Sequence, residues 1–255
     1  MYRRTNVSIV KFNALLWAIV LCTAILPNAV SAKTLKVAVG LSKPPYVISE
    51  NNSGFELDLV KAIFASMGHQ LSFNYVPYAR SYQLLKEQKV DVAMTISDRS
   101  PVGKMAALSD PYVTYRNVAI SLKENQLNIT KATDMVPYAI AGFQKSSTLL
   151  GEEYYQASQK AQHYVEIANQ AQQVEMLKNK RTDILIMDVN IFNYLSKGFF
   201  GRDSMSKVDI HSIFPPSHYR LGFHDDQLRD QFNLGLSQYR TSASYIKLVD
   251  RYNLY

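Results

Sequence analysis

Two stretches of this sequence align without gaps and decide its fold class: LKEQKVDVAM at residues 85–94 and LKNKRTDILI at residues 177–186. In each stretch a basic helix end turns into an apolar run with the length of a buried strand. The repetition predicts that the chain builds similar α/β units twice, although any two helix-to-strand turns share some of these features. We expect two lobes of about 100 residues with a site between them, because α/β proteins bind ligands at strand ends and domain interfaces.

Short β-rich runs alternate with helical patterns on both sides of these stretches. Strands are predicted at residues 35–40, 71–75, 90–94, 117–122, 138–141, 163–167 and 183–187. Helices are predicted at residues 55–67, 79–87, 149–161, 171–178, 191–195, 227–239 and 243–251. Strands that alternate with helices indicate mostly parallel sheets, so the predicted fold class is α/β.

The N-terminal segment has the pattern of an export signal. Arg3, Arg4 and Lys11 precede an uncharged, mostly apolar run over residues 14–26, and the small residues Val30-Ser31-Ala32 follow it. This order predicts a signal peptide over residues 1–32, cleaved after Ala32, and a periplasmic location. The apolar run is shorter than the roughly 18 residues that span a bilayer, so an uncleaved membrane anchor is the weaker alternative.

Composition narrows the class of protein. Of the 255 residues 47% are hydrophobic and 19% are charged, as in globular domains. The formal charge of +7 falls to +4 without the three basic residues of the signal segment, and it forms no Lys/Arg stripe, so we expect no nucleic-acid partner. The single cysteine, Cys22, lies in that segment, so we expect no disulfide and no Cys-based metal site. We also expect no cofactor. Nucleophile-elbow, zinc-protease, dinucleotide and phosphate-loop motifs are also missing, which argues against an enzyme.

An ordered set of elements resembles the family 3 extracellular solute-binding proteins, which serve polar amino acid uptake. The elements are TLKVAV (34–39), PPY (44–46), GFELDL (54–59), KVDVA (89–93), LSDPY (108–112) and the run from Thr182 to Asp188. The resemblance covers residues 33–255 and implies a two-lobed periplasmic-binding-protein type II clamshell with two hinge strands. It implies lobe 1 at residues 33–120 plus 216–255, lobe 2 at residues 121–215, and crossings near residues 118–123 and 218–223.

The resemblance also implies a function. A monomeric periplasmic receptor would capture a small polar solute, an amino acid or a related compound, between its lobes and present it to the permease complex of an ABC transporter. Two alternatives stay open. Relatives of this fold include enzymes that eliminate water or carbon dioxide from cyclic acids, and others are binding modules that feed a sensor.

A zwitterionic ligand needs an acidic partner for its ammonium and hydrogen-bond donors for its carboxylate. The family's ammonium-binding acid matches Asp188, whose alternative is a solvated carboxylate at a strand end. The family's hydroxyl-bearing helix start in the second lobe matches the loop with Ser147 and Thr148. Those hydroxyls could equally cap the helix.

The first-lobe wall has matches of the same kind. Tyr46, after the two prolines, resembles the aromatic residue that lines this wall in the family. Thr95 and Ser97 match the polar loop after a first-lobe strand, and Tyr112 and Tyr115 are candidates for the hinge or the wall.

The carboxylate-binding arginine is where the sequence departs from the family. Members that bind amino acids usually carry it six to eight residues before the element matched by LSDPY, and residues 100–102 contain no basic side chain. Arg99 lies nine residues before Leu108 and Lys104 four before it, so either could serve only in a remodelled loop, and Arg80 follows Tyr78 in an aromatic-x-Arg arrangement found in divergent members. Both arginines are candidates, each with a solvated or interlobe ion pair as its alternative, and Tyr78 is a candidate beside Arg80.

The glycine pattern also departs from the family. The glycines usual at the two helix-to-strand turns are replaced by Gln88 and Lys180.

Overall fold

The structure, a computed structural model, describes Met1, residues 33–97, residues 106–252 and Leu254. Residues 2–32 of the predicted signal segment and the candidates Arg99 and Lys104 lie outside the described residues. Lys33–Tyr255 forms one compact unit. Within the described ranges no helix has the length and apolar character needed to cross a membrane.

The described residues form eleven strands and eight α-helices. The strands are β1 (Thr34–Val39), β2 (Gln70–Tyr75), β3 (Val92–Ser97), β4 (Ala107–Leu108), β5 (Val113–Tyr115), β6 (Asn117–Leu122), β7 (Ala139–Phe143), β8 (His163–Ile167), β9 (Ile184–Asp188), β10 (Val208–His211) and β11 (Ser217–Phe223). The helices are α1 (Phe55–Ser66), α2 (Tyr78–Lys86), α3 (Ser146–Leu149), α4 (Glu152–Lys160), α5 (Gln170–Lys178), α6 (Val189–Phe200), α7 (Asp226–Arg240) and α8 (Ala243–Tyr252).

These strands form two mixed sheets. The first sheet has the order β2-β1-β3-β11-β4, with β5 also paired to β11. Strand β1 runs parallel to β2 and β3, and β11 runs antiparallel to β3, β4 and β5. The second sheet has the order β10-β6-β9-β7-β8, in which β7 is parallel to β8 and β9. Two parallel cores with antiparallel edges confirm the predicted α/β class.

The chain passes between the sheets twice. It leaves the first sheet after β5 and enters the second at β6, with Arg116 between them, and it returns between His211 and Ser217. Both passages come a few residues before the predicted crossings, and residue 120, the predicted end of the first lobe segment, lies inside β6. The lobe limits themselves stay a prediction.

The predicted helices differ from the observed ones where a single residue sets the boundary. The predicted helix at residues 149–161 is two helices, α3 and α4, because Gly151 between them has a positive φ of 102°. The predicted helix at residues 191–195 is longer, since the Asp188 side chain caps its start at Val189. The short strands β4, β5 and β10 were not predicted.

The two aligned stretches make the same turn. Gln88 (φ 54°) and Lys180 (φ 56°) both adopt the left-handed conformation directly after a helix, where glycine is usual. Each turn leads into a strand whose residues are all buried, β3 in the first sheet and β9 in the second. The alignment of the two stretches therefore reflects the same structural unit in both sheets.

Helix α1 starts against the loop that follows β1. Phe55 and Glu56 donate their backbone N–H groups to the carbonyls of Pro45 and Tyr46, at 2.9 and 3.0 Å. Gly54 precedes the helix with φ 117°, and a Cβ there would lie 2.4 Å from the Tyr46 carbonyl oxygen. This close approach requires glycine. It places the first turn of α1 directly under the loop that carries Tyr46.

Candidate ligand-binding site

A cavity with about 680 Å³ of empty space, part of it open to solvent, is lined by residues that follow strands of both sheets. The first sheet and its loops contribute Gly40, Leu41, Ser42, Lys43, Tyr78, Thr95, Tyr115 and Tyr219. The second sheet and its loops contribute Asn117, Phe143, Gln144, Leu149, Ala168, Gln170, Asp188 and Ile191.

A buried carboxylate, Glu56, supports the first-sheet wall. The Glu56 residue is 0% exposed, and its oxygens accept hydrogen bonds from the hydroxyls of Tyr112 and Tyr115 and from Thr95 Oγ1, the last at 2.9 Å. Burial, followed by the charge of Glu56, raises the pKa values of both tyrosines well above the usual range, so the hydroxyls remain donors. These bonds fix the side chains of Thr95 and Tyr115 at the cavity.

Lys43 lies next to this network. Its Nζ donates to Thr95 Oγ1 at 3.1 Å, lies 3.8 Å from Glu56 Oε1, and lies 5.7 Å from the centre of the Tyr115 ring. Thr95 therefore accepts from Lys43 and donates to Glu56. Thr95 adopts a left-handed backbone conformation, φ 61°, within β3. A cation at a ring face and beside a carboxylate is favourably placed.

Asp188 is the acidic residue at the second-sheet wall. It ends β9, and its carboxylate accepts the backbone N–H groups of Arg116, Asn190 and Ile191 at 2.7, 2.9 and 3.1 Å. Burial raises the pKa of Asp188 to about 6, although those three backbone donors act in the opposite direction. The carboxylate thus caps α6 and holds Arg116, the residue at which the chain passes between the sheets.

Tyr46 joins the two walls from behind. Its ring stacks on Tyr115 with centroids 4.3 Å apart, and its hydroxyl accepts a hydrogen bond from Asn190 Nδ2 at 2.9 Å. Burial, and then the charge of Asp188, raises the pKa of Tyr46 above its ordinary value. Asn190 belongs to α6, so this bond links the loop after β1 to the second sheet.

The carboxylate of Glu166 holds the segment that follows β7. Glu166 accepts from the backbone N–H groups of Lys145 and Ser147, from Ser147 Oγ and from the Tyr164 hydroxyl, at 2.7, 3.0, 2.6 and 2.9 Å. Burial alone would raise the pKa of Glu166, but these donors outweigh it and lower the pKa. The Ser147 hydroxyl is therefore committed to Glu166, and Thr148 is exposed.

The predicted site residues fall into three groups. Tyr78, Thr95 and Asp188 line the cavity, and Tyr46 lies behind its wall. Ser97 lines a second pocket that shares Leu149 with this cavity, while Ser147 and Thr148 lie in helix α3 of the second sheet. Arg80 is exposed on α2 and is not among the cavity-lining residues, and Arg99 lies outside the described residues.

Two charged residues at or behind the cavity wall were not identified from sequence. Lys43 directly precedes the prolines that drew attention to Tyr46, and Glu56 is part of GFELDL, which was used only to recognise the fold. Glu56 is a charged residue between two apolar residues at the start of a helix, and this pattern could have identified it. Lys43 has no such pattern, because its position depends on the tertiary contact with Thr95.

The fold and the cavity between two sheets define a class, the periplasmic-binding-protein-like α/β proteins. Within that class, residues 35–254 match the model of the bacterial extracellular solute-binding proteins, family 3. The chain belongs to this family.

The relatives agree with this assignment. The chain is 24% identical over 222 residues to an arginine-binding periplasmic protein of Mannheimia haemolytica, with 83% of this chain and 87% of that protein covered. Among solved structures, an ancestral arginine-binding protein bound to arginine has a TM-score of 0.70 and 22% identity, covering 86% of this chain and 97% of that one. A histidine kinase sensor domain with similarity to periplasmic binding proteins has a TM-score of 0.71 and 17% identity, covering 86% and 95%. At these identities the structures show the fold.

Proposed function

We propose that this protein is exported to the periplasm and there captures a small polar solute, an amino acid or a related compound, for uptake by an ABC transporter. The cavity carries the proposal, because its lining comes from both sheets and contains charged, amide and aromatic side chains together. A ligand that contacts both walls stabilises the arrangement in which the walls are close. The arginine-binding relatives support an amino acid as the ligand.

The two sheets are, in this proposal, the cores of two lobes. The connections at Arg116 and between His211 and Ser217 would absorb the rotation of one lobe against the other, as hinge residues do. Asp188 contributes to this geometry, since it binds the backbone of Arg116 from the second sheet.

A thermal-shift screen tests the proposed function. The purified protein, expressed from the full 255-residue chain, is heated with L-amino acids, polyamines, small organic acids and oligosaccharides. A ligand at about 100 times its dissociation constant adds roughly 2.7 kcal/mol of stability, which raises the melting temperature by about 5 to 10 °C. No shift with any class, together with turnover of a cyclic acid, would favour the enzyme of the same fold.

The screen does not separate uptake from sensing, which the sensor domain of similar fold makes the second candidate. Deletion of the gene distinguishes them. Uptake of the labelled ligand by whole cells should fall if the protein serves a transporter, whereas unchanged uptake with an altered transcriptional response to the ligand would indicate a sensor.

A further inference from the structure

The charged side chains beside the cavity differ in how far a ligand can reach them. The Lys43 side chain keeps 13% of its surface accessible, whereas the Glu56 side chain is 0% exposed and Asp188 is 1% exposed. Lys43 and Asp188 line the cavity, and Glu56 lies behind Thr95 and Tyr115. Within the described part of the chain, the accessible charge at this cavity is therefore positive.

Both carboxylates are satisfied inside the protein. Asp188 accepts three backbone N–H groups, and Glu56 accepts three hydroxyls. Each carboxylate therefore has several hydrogen-bond partners within the protein, although burial still raises the pKa of Asp188 above its ordinary value. The ammonium group of a ligand would meet carboxylates that are already hydrogen-bonded and almost without exposed surface.

Lys43 has donors to offer. An ammonium group carries three N–H donors, and the hydrogen bond to Thr95 uses one of them. The 3.8 Å separation from Glu56 exceeds a hydrogen-bond length, so that acid attracts the ammonium without taking up a donor at good geometry. Thr95 and the Tyr115 ring hold the ammonium in place, which reduces the entropy that a flexible lysine loses when it binds an anion.

We propose that Lys43 binds the anionic end of the ligand, and that the cleft recognises small carboxylates whether or not they carry an α-amino group. This inference rests on the proposed function of the cavity as a solute-binding site. Lys43 then takes the part expected of an arginine, and Asp188 is a positioning residue that fixes α6 and Arg116. A charge-assisted hydrogen bond to a carboxylate in a partly closed site is strong enough to dominate selection.

Three compounds on one skeleton separate the two ligand charges. L-Arginine carries both groups, 5-guanidinopentanoic acid lacks the α-amino group, and agmatine lacks the carboxylate. L-Histidine, imidazolepropionic acid and histamine form a second series. We expect the deaminated acid to bind within about threefold of the amino acid, and the decarboxylated amine to bind about 10- to 100-fold more weakly, in calorimetric titrations.

Variants test whether Lys43 causes the preference for the carboxylate over the amine. Lys43→Met should remove the difference between acid and amine, while Lys43→Arg should keep it. Since Lys43→Met leaves the buried Glu56 without its cation, the double variant K43M/E56Q is titrated beside it. Lys61→Met is the matched control, because Lys61 lies the same 5.7 Å from an aromatic ring, that of Phe73, and 3.4 Å from Asp58, but outside the cavity. It should bind like the unchanged protein.

The outcomes are distinguishable. If the unchanged protein binds no compound of either series or of the wider screen, the proposed function fails. If it binds the amino acids but loses the deaminated acids, an ammonium partner is essential and the inference about Lys43 is overturned. A preference for carboxylates that survives in both K43M and K43M/E56Q also overturns it.

Discussion

Asn190 donates a hydrogen bond of 2.9 Å to the hydroxyl of Tyr46, and this bond joins the loop after the first strand of one sheet to a helix of the other. Tyr46→Phe removes this acceptor together with the hydroxyl's hydrogen bond to Asp188, and it leaves the contacts of the ring. Because a buried hydrogen bond contributes about 0.5 to 1.5 kcal/mol, we expect ligand affinity to fall about 2- to 10-fold. Calorimetric titration with the ligand of the screen measures the change.

Tyr252→Phe is the control for this change. The Tyr252 hydroxyl accepts from the Gly54 backbone and donates to Asp58, at 2.9 and 2.6 Å, so its bonds stay among elements packed on the first sheet. It should lower the free energy of unfolding and leave affinity unchanged. Equal affinity in both variants and the parent protein would show that the Tyr46 bond does not support the bound state.

Asp188 should make stability depend on pH in an unusual direction. Its folded-state pKa of about 6 lies above the ordinary value of 3.8, so the folded protein binds more protons than the unfolded chain between these values. The contribution of Asp188 to stability is therefore full below about pH 4 and is lost as the pH rises through 6, by an amount on the order of 2 to 3 kcal/mol. Urea unfolding at pH 4.5 and 6.5 measures the free energy of unfolding, which should fall less between these pH values in Asp188→Asn than in the parent protein.

Asp134→Asn is the matched control. Hydrogen bonds from the backbone and hydroxyl of Thr130 lower the pKa of Asp134, so its stabilisation is present above pH 3.8 and is lost only below that range. Asp134→Asn should leave unchanged the difference in the free energy of unfolding between pH 4.5 and 6.5. A difference that is the same in Asp188→Asn as in the parent protein would contradict the raised pKa.

Gly54→Ala should destabilise the protein strongly. The added Cβ would meet the Tyr46 carbonyl oxygen and carbon at 2.4 and 2.7 Å, and φ of 117° is unfavourable for alanine. We expect a loss of about 2 to 4 kcal/mol in urea unfolding, because backbone must move on both sides of the contact. Gly198→Ala, in the last turn of α6 with open space around the new Cβ, should instead stabilise the protein by up to about 0.5 to 1 kcal/mol. The same sign in both variants would argue against the close approach at Gly54.

Glu56→Gln should also cost stability. The amide offers one acceptor oxygen to a site where three hydroxyls converge, and it leaves Lys43 without its negative partner. Removing one member of such a buried group costs about 3 kcal/mol in urea unfolding at pH 7. Asp58→Asn, in the same helix turn but partly exposed, should cost less than about 1 kcal/mol. If Glu56→Gln lowers the free energy of unfolding by no more than Asp58→Asn does, the negative charge of Glu56 does not stabilise the network.

The fold was predictable because its signals are local and repeated. Hydrophobic periodicity located α1 and β6 within a residue, and the aligned stretches identified the turns at Gln88 and Lys180. Strands β4 and β5 have two and three residues, too few for a period, and they exist because β11 pairs with them.

The candidate site was less predictable, because the role of each of its residues depends on tertiary contacts. Asp188 was selected from its position after a strand, but only the structure shows that backbone donors surround it. Lys43 and Glu56 are 13 positions apart in sequence and meet through Thr95. No pattern in the sequence connects these three residues.

A crystal structure with the strongest ligand of the screen tests the central claim most directly. The account predicts ligand density in the cavity between the two sheets, in contact with residues of both walls, and a ligand oxygen within hydrogen-bond distance of Lys43 Nζ. A ligand bound elsewhere, or one in the cavity whose ammonium group contacts Asp188 while Lys43 contacts only Glu56 and Thr95, would contradict the account.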